Sequence, residues 1–396
     1  MPIPPVSFEG LKFEQPTIWR EVVKAMGELE ALVWSDPMVT DELTRAEGAR
    51  QLTRIIAGAF PITMEQVDPR YPQFLQLLST RVQWGLPSAD CHYLWTPVHG
   101  DYSYRLIGDR GTARIIDLEV RHSHIARLGE WKLFERLTEL EVGPHNQVEV
   151  VVSRERPADA LNWLKLPEGP ANLIFRQYFY DWNHEQAGRL TIVTEGVKYP
   201  PPPLTPGDIR RNLELFCDFL KQTPAGFRKT VDAYYQAPDD ALSFDGIDYG
   251  FASLKYGKGR YACAPGEAMI IETKLPKTPF WNIQIGSHFW EARDFHLRQT
   301  SLNGHQAHVD EDGVFRAVIS HEDPGVANWL DAAGHDKGLI TIRYYDADCT
   351  PPASLRKVKF SDLAKALPAS TSRVTPEARQ KILRARAWSM PRLGRD

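Results

Sequence analysis

One short segment holds the polar and aromatic side chains best suited to chemistry. It begins at Arg176 and reads Arg-Gln-Tyr-Phe-Tyr-Asp-Trp. Alternate residues of a strand point to one face, so Arg176, Tyr178 and Tyr180 are expected on the same surface. A guanidinium group and two phenolic hydroxyls suit an anionic or polyoxygenated ligand. Asp181 has two interpretations: a group that transfers protons, or a cap of the turn at Asn183.

A second group of chemically useful residues follows the Trp-Asn pair at 281–282. If residues 288–296 form one strand, His288, Trp290 and Asp294 face the same way, and an imidazole oriented by a carboxylate suffices for general base catalysis. Polar residues on an exposed sheet face would show the same pattern. The expected catalytic residues are Asp181, His288 and Tyr180, and the expected substrate-binding residues are Arg176, Tyr178, Trp182, Trp281, Asn282, Trp290, Asp294, Arg298 and Asn303.

Metal and cofactor motifs are weak or missing. His305, His308 and Asp310 could form a metal triad, but their spacing does not match H-E-x-x-H. The segment leads into a hairpin, which favours surface histidines around a turn. The sequence contains no G-x-G-x-x-G, no G-x-x-x-x-G-K-[ST] and no G-x-S-x-G. We therefore expect no cofactor and no redox chemistry on a nicotinamide or flavin.

The chain also contains an internal repeat. The triplet Asn162-Trp-Leu recurs as Asn328-Trp-Leu, and Arg176 recurs as Arg343, at offsets of 166 and 167 residues. A repeat of this size predicts a duplicated architecture. It also gives Arg176 an alternative interpretation, because a residue present in both copies often serves the fold rather than a unique site.

Hydrophobic periodicity indicates which elements position these residues. Helices are predicted at 18–34, 40–59, 205–222 and 223–235, and a solvated basic helix at 376–390. Two regions of about eight short strands each lie between them. The predicted fold is mainly β with flanking helices (α+β): two antiparallel β-sandwich or jelly-roll-like domains. The predicted divisions are a helical region at 1–90, a first sandwich at 91–199, a proline-rich linker with helices at 200–240, a second sandwich at 241–350 and a helical tail at 351–396.

Several motifs resemble a known family. These are Phe280-Trp-Asn-Ile-Gln-Ile-Gly, Arg298-Gln-Thr-Ser-Leu-Asn and the run His321-Glu-Asp-Pro-Gly-Val-Ala-Asn-Trp-Leu-Asp. They look like the DUF1214 family, and the first half, with Asp68-Pro-Arg-Tyr-Pro and Tyr93-Leu-Trp, is similar to the region that accompanies it. The resemblance implies β-sandwich, jelly-roll-like domains. It implies no catalytic residues.

Composition limits the functions that fit. The chain has 396 residues, 42% hydrophobic and 25% charged, with a formal net charge of −4. These values are typical of a globular protein and argue against a dedicated nucleic-acid surface. Four scattered cysteines without C-x-x-C spacing favour reduced thiols. Neither a leader nor a membrane span is indicated, so a cytoplasmic location is expected.

The resulting functional hypothesis favours an enzyme. It is a cofactor-independent hydrolase or lyase whose small organic substrate has a hydrophobic body, such as a lipid, a terpenoid or an aromatic compound. The substrate is expected between the two sandwiches, since ligand sites favour domain interfaces. Two alternatives stay open: a non-catalytic module that binds a carbohydrate or hydrophobic small molecule, and a jelly-roll assembly protein. A homo-oligomer is compatible with each; nucleic-acid and membrane partners are not expected.

Overall fold

The computed structural model describes residues 17–65, 67–244 and 254–395. Its helices are α1 (Thr17–Glu28), α2 (Ala31–Trp34), α3 (Glu42–Phe60), α4 (Pro206–Tyr235), α5 (Leu363–Ala366) and α6 (Pro376–Arg392). The strands of the first half are β1 (Leu75–Leu78), β2 (Cys91–His99), β3 (Tyr104–Gly111), β4 (Ile115–His122), β5 (Leu133–Leu137), β6 (Gln147–Ser153), β7 (Asn162–Lys165), β8 (Pro170–Tyr178) and β9 (Ala187–Thr194). Those of the second half are β10 (Leu254–Ala262), β11 (Glu267–Lys274), β12 (Phe280–Gly286), β13 (Ser301–Asn303), β14 (Val314–Ser320), β15 (Trp329–Asp331), β16 (Lys337–Tyr345) and β17 (Ala353–Lys359).

The strands form two sandwiches with the same topology. In the first sandwich, the sheets have the orders β1-β2-β8-β4-β5 and β7-β6-β3-β9. In the second, the orders are β10-β16-β12-β13 and β15-β14-β11-β17, so each strand has a counterpart apart from β1. The predicted pair of β-sandwiches from a duplicated unit is confirmed. One strand pair in each copy is parallel rather than antiparallel, β6 with β7 and β14 with β15. Strand β17 extends the second sandwich past the predicted boundary at residue 350.

The repeated triplets occupy matching places. Asn162 begins β7, where its side chain accepts a hydrogen bond from Glu141 N at 2.8 Å and donates to Glu149 O at 2.9 Å. Asn328, next to β15, accepts from His308 N at 2.9 Å and donates to Arg316 O at 2.7 Å. Each asparagine therefore joins a loop to the neighbouring strand in the same way, which explains its presence in both copies.

A helical layer covers one face of the first sandwich. Val22 of α1, Ile55 of α3 and Phe216 of α4 pack with Trp95 and Ile174, which lie on β2 and β8. The opposite face of the same sheet contributes to the sandwich interior. The five-stranded sheet of the first half is therefore covered on both sides, and polar side chains on its helix-facing surface must be buried.

Three predictions about individual elements were wrong. Helix α4 runs without interruption through Pro224, because buried neighbours such as Thr223 and Val231 outweigh the one missing backbone donor. Residues 288–296 form turns and an isolated bridge rather than a strand. The basic helix α6 is not simply solvated. Arg379 and Arg386 are 3% and 4% exposed, since Arg379 pairs with Asp323 and Arg386 donates to the carbonyl of Phe295.

No helix within the described ranges has both the length and the apolar character to span a bilayer.

Candidate ligand-binding site

A cavity of about 1000 Å³ lies between the two sandwiches and helix α4. Its wall comes from the helix-facing surface of the first sandwich, the loop between β4 and β5, helix α4, and strands β10 and β16. Most of the lining is apolar or aromatic: Leu77, Leu78, Trp84, Leu86, Leu128, Trp131, Leu133, Ile174, Phe227, Leu254 and Trp290, together with the tyrosines Tyr93, Tyr178 and Tyr256. The volume and the lining are those of a small-molecule site.

The charged part of the lining has one sign. Arg121, Lys132, Arg176 and Arg343 line the cavity, and no aspartate or glutamate does so among the described residues. Arg121, Arg176 and Arg343 are buried, whereas Lys132 is exposed. Cations held away from water attract an anion strongly, because the local dielectric is low and screening is weak.

A buried carboxylate, Glu119, supports two of these arginines from behind. Strand β4 alternates, so Asp117, Glu119 and Arg121 face away from the sandwich interior while Ile116, Leu118 and Val120 pack inside it. Glu119 lies 3.0 Å from Arg121 Nε and 3.1 Å from Arg176 Nη1. A buried charge needs such partners, and Glu119 therefore fixes both guanidinium groups at the cavity wall.

Asp117 is the second carboxylate of this cluster. It accepts a hydrogen bond from Arg136 Nε at 2.8 Å and one from the Tyr345 hydroxyl at 3.3 Å. Burial, followed by the nearby charge of Glu119, raises the pKa of Asp117 to about 7, although Arg136 acts in the opposite direction. The environment of Asp117 therefore favours its neutral form.

Two repeat-related arginine–tyrosine pairs meet at the cavity. Arg176 lies opposite Tyr93 on neighbouring strands, with its Cζ 5.5 Å from the ring centroid. Arg343 lies opposite Tyr256 with the same 5.5 Å separation. Cation–π contacts hold the guanidinium planes in place. Each copy therefore contributes one oriented arginine to a shared space.

A connecting segment crosses between the sandwiches at this point. Arg343 Nη2 donates to Leu86 O at 2.8 Å, and Leu86 N donates to Trp290 O at 2.7 Å. Leu86 and Trp290 both have left-handed backbones, with φ of 44° and 61°. For residues with side chains of this size, that conformation costs about 1–3 kcal/mol and is concentrated at binding sites. Both residues line the cavity.

The structure brings only part of the predicted site to this cavity. Arg176, Tyr178 and Trp290 line it, whereas Asp181, His288 and Tyr180 do not. Tyr178 is packed at 5.4 Å from the ring of Tyr345, where β8 of one sandwich meets β16 of the other.

Asp181 takes the capping role. Its carboxylate accepts from Asn183 N at 3.0 Å and lies 2.7 Å from His184 Nδ1. Partial burial favours the neutral carboxyl, but the hydrogen bonds from His184 and Asn183 outweigh it and lower the pKa of Asp181. A carboxylate held in this way is a poor base. Tyr180 is also in a structural position, since its hydroxyl accepts from the backbone N–H of Trp281 at 3.0 Å.

His288 lies in a different cluster. Its Nε2 is 2.7 Å from Asp36 Oδ2, and its Nδ1 is 3.0 Å from the Tyr235 hydroxyl. Burial lowers the pKa of His288, while the hydrogen bond with Asp36 opposes that shift. The carboxylate beside His288 is thus Asp36 and not Asp294, which lies 3.6 Å from Arg50 instead. The cluster joins the helical layer to the second sandwich.

Three further predicted residues surround a buried carboxylate, Asp90. Trp182 Nε1 donates to it at 2.8 Å, Asn282 Nδ2 at 2.7 Å and Asn303 Nδ2 at 2.6 Å. Burial raises the pKa of Asp90, and the amide donors oppose that shift. Because these donors come from both halves of the chain, the network fixes one sandwich against the other.

The remaining predicted residues do not converge on the cavity. Trp281 belongs to the interior of the second sandwich, and exposed Arg298 pairs with Asp331 at 2.8 Å. His305 and His308 are exposed, and Asp310 binds Arg316 at 2.8 Å. Within the described part of the chain, no three His, Cys, Asp or Glu side chains are grouped so that they could hold a metal ion.

Sequence reasoning missed Arg121 at the cavity wall and the two carboxylates on the same strand. Asp117, Glu119 and Arg121 alternate with apolar residues along β4. This pattern is the usual one for a sheet face exposed to solvent. Here the helical layer and the second sandwich cover that face and bury its charged side chains. The alternation was therefore the available signal, but it could not distinguish a buried charged face from an exposed one.

Fold and site together define a double β-sandwich protein with a cation-lined cavity between its halves. Residues 267–349 match the model of DUF1214, described as a protein of unknown function. This match lies within the second sandwich, and the predicted resemblance is confirmed for these residues. The crystal structure of an uncharacterised protein from Burkholderia cenocepacia is similar, with 27% identity and a TM-score of 0.81 over 87% of this chain and 97% of that one. A Vibrio parahaemolyticus protein is 13% identical, with a TM-score of 0.44 over 76% and 96% of the two chains. No curated protein matches the chain.

Proposed function

We propose that this protein binds a small anion with a hydrophobic body in the cavity between its sandwiches. The observation that carries the proposal is the lining itself, which contains four cationic side chains and no carboxylate among the described residues. The rest of the lining is mainly apolar and aromatic. A carboxylate or similar oxyanion would lie against Arg176 and Arg343, and its body would contact Trp84, Phe227 and their neighbours.

The physical argument has two parts. An anion loses its hydration in a buried site, so it binds there only if cations or donors replace the water. Guanidinium groups that are already oriented supply this replacement at low entropic cost, and Arg176 is oriented by Glu119 at 3.1 Å. The apolar wall then contributes about 0.8 kcal/mol for each methylene group removed from water.

The apolar wall favours a hydrophobic body over a carbohydrate. Hydrolase or lyase chemistry on such a ligand stays a prediction, because the three residues expected to transfer protons lie outside the described lining. Oligomeric assembly likewise stays a prediction. A reducing, cytoplasmic location is part of the proposal, supported by four cysteines that are all unpaired thiols.

Isothermal titration calorimetry with decanoate, decylamine and decanol tests the proposal, because the three share a chain and differ in charge. We expect decanoate to bind at least tenfold more tightly than the other two. Arg176→Gln and Arg343→Gln should each weaken the binding of decanoate by roughly 10- to 100-fold. The reason is that a hydrogen bond to a charged group contributes about 1.5–3 kcal/mol. Arg298→Gln is the matched control, because that arginine is exposed and pairs with Asp331 away from the cavity.

Arg176→Gln leaves Glu119 without one of its two cations, so its stability must be measured as well. Equal affinity for decanoate and decylamine would overturn the proposal. So would unchanged decanoate affinity in folded Arg176→Gln and Arg343→Gln proteins.

A further inference from the structure

Two aromatic side chains separate the cavity from a second, smaller void. Phe227 of α4 and Trp290 line the cavity of about 1000 Å³, and both also line a neighbouring void of about 50 Å³. The void's other apolar neighbours include Ile55 and Val231, and Asp36 and His288 are among its polar ones. Phe227 and Trp290, here called the partition, are thus the boundary between the two spaces.

We infer that the partition limits the length of the bound molecule, with Phe227 as the main specificity-determining residue. This inference rests on the proposed function. Phe227 and Trp290 belong to the same cavity wall as Arg176 and Arg343, so a hydrophobic body anchored at the arginines would run along that wall towards the partition. The void behind them is mainly apolar, so it would accept a longer body if the partition were removed.

The two members of the partition differ in how firmly they are held. Trp290 packs edge-on against Tyr234 at 5.0 Å, and its backbone carbonyl accepts from Leu86 N at 2.7 Å. Phe227 stacks against Trp84 at 6.0 Å. Its backbone lies within the regular helix α4, whereas the backbone of Trp290 has a left-handed conformation. Phe227 is therefore the member that can be truncated with the smaller effect on the backbone.

The size of the void sets the expected effect. A water molecule occupies about 30 Å³ of liquid, so a void of about 50 Å³ holds one or two methylene-sized groups. Truncating Phe227 to alanine adds the space of the lost ring. The carboxylate length at which affinity stops rising should therefore be at least two carbons greater in Phe227→Ala than in wild type. Each methylene accommodated should tighten binding by about fourfold.

The test is a titration series of unbranched carboxylates from octanoate to hexadecanoate against wild type, Phe227→Ala and Phe227→Leu. In wild type, affinity should rise with length and then stop rising at a definite carbon number. That limit should move by at least two carbons in Phe227→Ala and by less in Phe227→Leu. The leucine variant also preserves the test if the alanine variant folds poorly.

Leu52→Ala is the matched control. Leu52 lines the small void but not the large cavity, so its truncation enlarges the void without removing the partition. The length limit of this variant should stay as in wild type. An unchanged limit in both Phe227 variants, or an equal shift in Leu52→Ala, would overturn the inference while leaving the proposed function intact. Failure of every carboxylate to bind wild type would overturn both.

Discussion

Replacing Asp117 with asparagine should make the protein more stable at alkaline pH. The side chain lies in the buried cluster under the cavity, bonded to Arg136 Nε at 2.8 Å and to Tyr345 at 3.3 Å. Asparagine has the same shape, and its amide can keep both contacts. The second sandwich already has asparagine here, since Asn282 is paired with Arg343 as Asp117 is with Arg176.

The expected gain in stability at alkaline pH follows from the raised pKa of Asp117. Its folded value is about 7 and its ordinary value is 3.8, so the folded protein holds a proton that the unfolded chain releases. In wild type, the neutral Asp117 destabilises nothing below pH 3.8. As the pH rises from there towards and through 7, the preference of Asp117 for the neutral form lowers the free energy of unfolding. A difference of about three pKa units corresponds to roughly 4 kcal/mol at 1.36 kcal/mol per unit. Because part of the shift comes from the nearby charge of Glu119, this figure is an upper bound.

Urea unfolding of wild type and Asp117→Asn at pH 4, 6 and 8 measures the effect. The variant should match wild type near pH 4, where both side chains are neutral, and exceed it by up to about 4 kcal/mol at pH 8. Asp181→Asn is a suitable control, because the pKa of Asp181 is lowered and loss of its charge brings no gain at pH 8. An Asp117→Asn protein less stable than wild type at pH 8 would refute the reasoning.

Three further predictions concern the helix, the repeat and the surface turn. Gly226→Ala should stabilise α4 by about 0.5–1 kcal/mol in thermal unfolding, since the new Cβ would lie 3.5 Å from Leu128 Cδ1 without a clash; a loss of stability would contradict this packing. Asn162→Ala and Asn328→Ala should each cost about 1–3 kcal/mol in urea unfolding, because each leaves partly buried backbone groups unpaired; a large difference between the two would contradict the equivalence of the copies. Asp181→Asn should leave decanoate affinity unchanged in calorimetry, and a tenfold loss would return Asp181 to the site.

Much of the fold could be predicted from local pattern. The two Asn-Trp-Leu triplets revealed the duplication because the asparagine makes the same backbone bonds in both copies. Helix starts were also readable. Asp41 caps α3 and Thr205 caps α4, each accepting from a backbone N–H of the first turn. These features depend on neighbours in sequence, and sequence shows them directly.

The candidate site was harder to predict, since it depends on which surfaces become buried. Arg176 was identified as a ligand-binding residue, but Glu119, which pairs with it, and Arg121 were not, because charges alternating along a strand usually face water. His288 was expected beside Asp294 on a strand. Its partner is Asp36, 252 residues away in sequence, and no local pattern links two such distant residues.

The most direct test of the proposed cavity is a crystal structure of the protein with 12-bromododecanoate, measured at the bromine absorption edge. The account predicts one strong anomalous peak between the sandwiches, near Phe227 and Trp290, with the carboxylate against Arg176 and Arg343. Bromine found only on the outer surface, or a chain bound in the cavity with its carboxylate turned away from both arginines, would contradict it.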